Sequence, residues 1–82
     1  MKNSAVLLIA CPDQKGLVAA ISDFVFRHDG NILHADEHAD EGSNLFLMRV
    51  EFDPSDFDID RKDFAKYFSP LAKKFEMTWR LA

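Results

Sequence analysis

The sequence has one cysteine, three glycines and three prolines among 82 residues. One cysteine excludes an internal disulfide and suits a reducing cytoplasm. No apolar run approaches the roughly 20 residues of a membrane span. The apolar run before Pro12, about six residues long, is also too short for the core of a secretory signal. Ten Lys and Arg are scattered among fourteen Asp and Glu, giving a net charge of −4. With no basic stripe, the composition disfavours nucleic acid as a partner. Cys11 precedes a proline, and no histidine base with an orienting third group can be named for it. The chain is therefore read as non-catalytic, and no repeat or low-complexity segment divides it.

What the sequence does have is apolar residues: they make up 48%, with eight Phe and one Trp. That is enough to fill the core of one small domain, spanning residues 1–82. Met1 reads as a native start, and Ala82 as a domain boundary just past a strand-like segment.

Ser4 to Cys11 is apolar on both faces, as in a central strand. Leu17, Ala20, Ile21, Phe24 and Val25 make a helical stripe within Leu17 to His28, with Gly30 expected at its left-handed C-terminal turn. Asn31 to Asp40 and Leu45 to Asp53 read as strands joined by a hairpin at Asp40 to Asn44. Phe46, Met48, Val50 and Phe52 share one face of the second. Asp60 is placed as the N-cap of another helix, with Asp63 three residues in. Phe64, Phe68, Leu71 and Phe75 form its stripe, and Pro70 predicts a bend. Glu76 to Leu81 reads as the last strand. The order β-α-β-β-α-β predicts an α+β, ferredoxin-like sandwich, with two helices on one face of a four-stranded antiparallel sheet.

Cys11-Pro12-Asp13-Gln14-Lys15-Gly16 turns the first strand into the first helix. Such a loop presents free N–H groups at a helix start, where small anions bind. Two other groupings are set aside. His34, Asp36 and His38 alternate along one strand face, yet the two histidines stand roughly 13 Å apart, too far to share a metal. Asp56, Asp58 and Asp60 imitate the start of a calcium loop, but Arg61 holds its glycine position and Tyr67 its bidentate glutamate position. No metal and no cofactor are assigned.

The topology, Asp13-Gln14-Lys15-Gly16 and Gly30-Asn31-Ile32 together resemble an ACT domain, the small amino-acid-sensing module of metabolic enzymes. Cys11 to Ala19, Gly30 to Asp36 and Phe46 to Glu51 are similar to the N-terminal ACT domain of formyltetrahydrofolate deformylases. The similarity runs over essentially the whole chain. The resemblance implies a parent hydrolase that cleaves 10-formyltetrahydrofolate to formate and tetrahydrofolate, feeding purine synthesis. Its catalytic, formyltransferase-like domain would lie downstream. It further implies regulation by methionine or glycine.

By position, the resemblance also implies a ligand site at Cys11, Asp13, Gly16 and Asn31. N–H groups near Gly16 and Leu17 would take a carboxylate, while Asp13 and Asn31 accept from the ammonium. Alternatively Asp13 caps the helix itself, and Asn31 merely tolerates a tight turn. The chain departs from the family at Cys11, where a polar side chain is expected.

Two helices cover one face of the sheet, yet Leu45, Leu47 and the first strand leave apolar side chains on the other. A homodimer or higher oligomer, or the catalytic domain, is expected to cover them. The alternatives are a free-standing ACT regulator, such as a glycine-cleavage transcriptional co-regulator, and a dimerisation module without a ligand.

Overall fold

Residues two apart along the strands, and three or four apart along the helices, converge on a single core in the computed structural model, which describes residues 4–82. The elements are β1 (Ala5–Pro12), α1 (Leu17–Arg27), β2 (Asn31–Asp40), β3 (Leu45–Asp53), α2 (Phe64–Lys74) and β4 (Thr78–Leu81). A 3-10 turn, Arg61–Asp63, leads into α2. The sheet order is β2-β3-β1-β4, antiparallel throughout. This is the ferredoxin-like arrangement expected, with β1 in the interior of the sheet.

Alternation decides which side chains reach the core. Ala5, Leu7, Ile9 and Cys11 of β1 are buried, as are Phe46, Met48, Val50 and Phe52 of β3. Leu17, Ile21, Phe24 and Val25 descend on them from α1, and Phe64, Phe68 and Ala72 from α2. Phe68 is fully buried, its ring 5.1 Å from Phe24 and 5.2 Å from Trp79 by centroids. Edge-to-face rings at such spacing add to the burial of area itself.

Both helices end in the same way. Asp29 N–H donates to Phe26 O and Gly30 N–H to Val25 O; Glu76 N–H donates to Lys73 O and Met77 N–H to Ala72 O. This paired pattern is the Schellman motif, which needs a left-handed residue just past the helix. Asp29 (φ 63) and Glu76 (φ 57) fill that position. The expected left-handed residue, Gly30, therefore stands one place further on. It is needed there for space: an added Cβ would lie 2.6 Å from Val25 Cγ1 and 2.9 Å from Phe57 Cδ1. The second motif consumes Glu76 and Met77, so β4 begins at Thr78 instead of Glu76.

Two other local expectations change, at the caps of α2 and at Ile59, while Pro70 stands within the helix as expected. Asp60 and Asp63 make no side-chain cap. Pro70 lies inside one continuous helix on its exposed side, where water can satisfy the carbonyl it leaves unpaired. Ile59, in the expected loop, is buried, and Phe57 packs against the core beside it.

Candidate functional site

The β1–α1 loop begins at the buried Cys11 and ends at Gly16, whose φ of 84° puts it in the left-handed region. Glycine adopts that conformation without a Cβ penalty, which lets the chain turn straight into α1. Ala20 N–H donates to Gly16 O at 2.9 Å, the first bond of the helix. No side chain caps the start, so Asp13 does not occupy the N–H groups there. The loop is instead fixed from outside. Asp13 N–H donates to Asn44 O at 2.9 Å. Gln14 Nε2 donates to Pro12 O at 2.9 Å and to Phe75 O at 3.0 Å. Gln14 thereby ties the loop to the end of α2, a role hidden from sequence reading because its partner is a backbone carbonyl 61 residues away.

Cys11 faces the helix-covered side of the sheet. Burial pushes its thiol above the ordinary value of 9.0, and the nearby Asp13 charge pushes it the same way. It packs in the core, and Cys11 also borders a depression of about 420 Å³ beside the loop, shared with Pro12, Asn44 and Glu76.

Asn31 is elsewhere. Pro12 pairs with Leu45 at one end of β3, and Asn31 pairs with Asp53 at the other. Eight positions at about 3.3 Å each separate them, roughly 26 Å along the sheet. Cys11, Asp13, Gly16 and Leu17 are thus brought together, and one copy of the chain does not bring Asn31 to them.

His34, Asp36 and His38 sit on the open face of the sheet, as the alternation predicts. A β-bulge between Ile32 and His34 sets this phase, turning Ile32 toward the core and His34 away from it. His34 Nε2 lies 2.9 Å from Asp36 Oδ2. Across the sheet, His34 faces Glu51, Asp36 faces Arg49, His38 faces Leu47 and Asp40 faces Leu45. Asp40 is held below the usual carboxylate range, first by the Ser43 hydroxyl, with further help from the Gly42 and Ser43 N–H groups and from His38. Among the described residues, no group of three or more His, Cys, Asp or Glu is placed to hold a metal. His28 instead clamps the 54–60 loop at Asp58: its Nδ1 lies 2.8 Å from Asp58 Oδ1, and its carbonyl accepts from Asp58 N–H at 2.8 Å.

The open face itself has a shallow hollow of about 460 Å³ over Leu8, Ala10, Leu47 and Thr78. No described helix is long and apolar enough to cross a membrane.

Comparison with known proteins agrees with this architecture. The chain is 44% identical over 82 residues to a formyltetrahydrofolate deformylase of Synechocystis, covering 99% of this chain and 29% of that protein. It superposes on the crystal structure of a formyltetrahydrofolate deformylase from Pseudomonas syringae with a TM-score of 0.95 and 38% identity, over 100% of this chain and 28% of that one. An ACT domain protein from Streptococcus pneumoniae shares the fold, with a TM-score of 0.81 at 17% identity, over 100% of this chain and 90% of its own. This chain thus spans under a third of the length of the deformylases it matches. The family model for the ACT domain matches residues 5–68, and the chain belongs to the ACT domain family.

Proposed function

We propose that this chain is the regulatory domain of a formyltetrahydrofolate deformylase, a hydrolase that converts 10-formyltetrahydrofolate to formate and tetrahydrofolate through a separate, formyltransferase-like catalytic domain. The observation that carries this reading is the 44% identity to one such enzyme across the entire chain. The domain binds a small amino acid, methionine or glycine, at the β1–α1 loop. The uncapped start of α1 after Gly16 supports this, since its N–H groups and dipole suit a carboxylate. Asp13 supplies the acceptor for the ammonium. Asn31 completes the site from a second copy, because its own lies at the far end of the sheet.

Regulation follows as a population shift. A ligand held between copies favours the arrangement of subunits that binds it best, by no more than its difference in affinity for the two arrangements. Calorimetry on the full chain tests this. Methionine or glycine is expected to give saturable heat that Asp13→Ala abolishes, with a matching change in the rate of 10-formyltetrahydrofolate hydrolysis. Absence of heat with both amino acids at millimolar concentration would refute ligand sensing.

A further inference from the structure

Three residues of the helical stripes are left partly uncovered: Ala20 of α1, Leu71 of α2 and Phe75 just past it. They meet because the two helices run antiparallel. Gln14, before α1, bonds to Phe75 O at the end of α2. His28, after α1, has its ring 6.1 Å from Tyr67 in the first turn of α2. Between the helices lies a groove of about 450 Å³, with Ala20, Phe24, Pro70 and Leu71 among its apolar lining residues. Ala20 brings only a methyl where the rest of its stripe brings Leu, Ile, Phe and Val, so the groove stays unfilled.

We propose that this groove binds a small aromatic acid, a flat ring with an anionic group at one end and a neutral hydrogen-bonding group at the other. Small-molecule sites are concave, mostly apolar and roughly 300–1,000 Å³ in volume, with a few polar groups that fix orientation. The groove fits that description in size and in lining. Phe24, Pro70 and Leu71 offer flat apolar surface for a ring. Pro70 adds an acceptor as well. It has no N–H to give to the Lys66 carbonyl one turn back, which is left without its usual helix partner.

The charges set the direction of the ligand. Arg27 is paired with Asp23 at 3.2 Å, and His28 with Asp58 at 2.8 Å. Lys74 has no acidic partner among the described residues and lies 5.5 Å from the centre of the Phe75 ring. The anionic group therefore belongs at the Lys74 end. At the other end, the Arg27–Asp23 pair and the half-exposed Tyr67 hydroxyl offer donors and an acceptor with no surplus charge. That end suits an amide or an aromatic amine. Ala20 and Arg27, which border the two ends, are roughly 10 Å apart by helical rise. With His28 neutral, Arg27 and Lys74 against Asp23 leave the lining one net positive charge, on a chain whose own net charge is −4. An acid is thus drawn to this groove and repelled by most of the remaining surface.

The groove stands apart from the β1–α1 loop, since none of Cys11, Asp13, Gly16 and Leu17 lines it. A ligand lying across both helices joins α1 to α2 where their own side chains leave a gap. Anything that binds only the folded chain raises its stability by mass action, so occupation of the groove also raises the midpoint of thermal unfolding.

Titration of the full chain with para-aminohippurate, followed by backbone amide NMR, tests the proposal. The probe carries a ring, an amide and a carboxylate in line. Saturable shifts are expected within residues 20–28 and 67–75. N-acetylglycine, which lacks the ring, and the neutral amide of the probe are each expected to bind about fivefold more weakly or worse. Lys74→Gln is expected to weaken binding of the probe about fivefold, and Lys74→Arg to retain it. Ala20→Leu fills the groove with a residue that keeps α1 helical and is expected to weaken binding about tenfold or more. Thermal unfolding of each variant verifies that it folds. Absence of saturable shifts at about 10 mM probe would overturn the proposal. Undiminished binding by folded Ala20→Leu or by Lys74→Gln would do so too, as would equal binding of the neutral amide. Loss of the probe on Asp13→Ala would move it to the β1–α1 loop and would equally refute the groove. A chain that binds the probe but neither methionine nor glycine keeps this site and loses the amino-acid reading, so the two fail separately.

Discussion

On the helix-covered side of the sheet, all four inward residues of β1 between Ala5 and Cys11 are buried, and so are four of β3. On the open side Leu45 and Leu47 remain 37% and 42% exposed, in company with histidines, aspartates and an arginine. The same strands supply both faces, one residue out of phase. The covered face is held by area and shape, terms that depend on how much apolar surface leaves water. The open face holds little stability and much of the chain's chemical individuality. A substitution therefore acts on folding or on association according to whether it falls on one phase of the strand or the other.

The largest effect is expected deep under the helices. Phe68→Ala removes a fully buried ring in contact with Phe24, Phe64 and Trp79, at a cost of about 3–5 kcal/mol, measurable by urea unfolding. A loss below 1 kcal/mol would break the distinction between the faces. Gly30→Ala forces a methyl against Val25 and Phe57 and is expected to cost about 1–3 kcal/mol. Glu76→Gly relieves a left-handed backbone at an exposed helix end and is expected to stabilise by about 0.5–1 kcal/mol, raising the midpoint of thermal unfolding. Leu47→Ser, on the open face, is expected to leave monomer stability within about 0.5 kcal/mol. The mildest test concerns Cys11. Its raised value favours the neutral thiol in the native state, so its contribution to stability is intact below 9.0 and declines as pH rises beyond it. A thiol reagent at pH 8 is expected to label the unfolded chain and spare the folded one.

The phase of the strands explains what could be read from sequence. Asn31–Asp40 and Leu45–Asp53 match their expected bounds, and the helix stripes meet the core apart from Ala20, while Ala72, outside the expected stripe of α2, is buried as well. Hydrophobic period is local and strong, and it survives folding. The parts that escaped reading depend on backbone geometry or on partners far along the chain. Asp29 takes the left-handed turn expected of Gly30 because the packing of Phe57 against Gly30 is a tertiary event. Asp60 and Asp63 look like caps, yet a 3-10 turn intervenes and neither side chain bonds to the helix start. The candidate site was legible at its loop and illegible in its extent. Nothing in the spacing of Asp13 and Asn31 says that they lie at opposite ends of one sheet.

The position of β1 between β3 and β4 also sets a timetable. Leu7 pairs with Val50 on one side and Leu81 on the other. A ribosome adding about 5–20 residues per second completes the second of those partners roughly 4–15 s after making Leu7. The β2–β3 hairpin, joined by a short turn, can close within microseconds of its synthesis. The most apolar strand is therefore made before the other three, yet it waits for its last neighbour until β4 emerges. During that interval the nascent chain exposes Val6 to Ile9, the stretch a chaperone would hold.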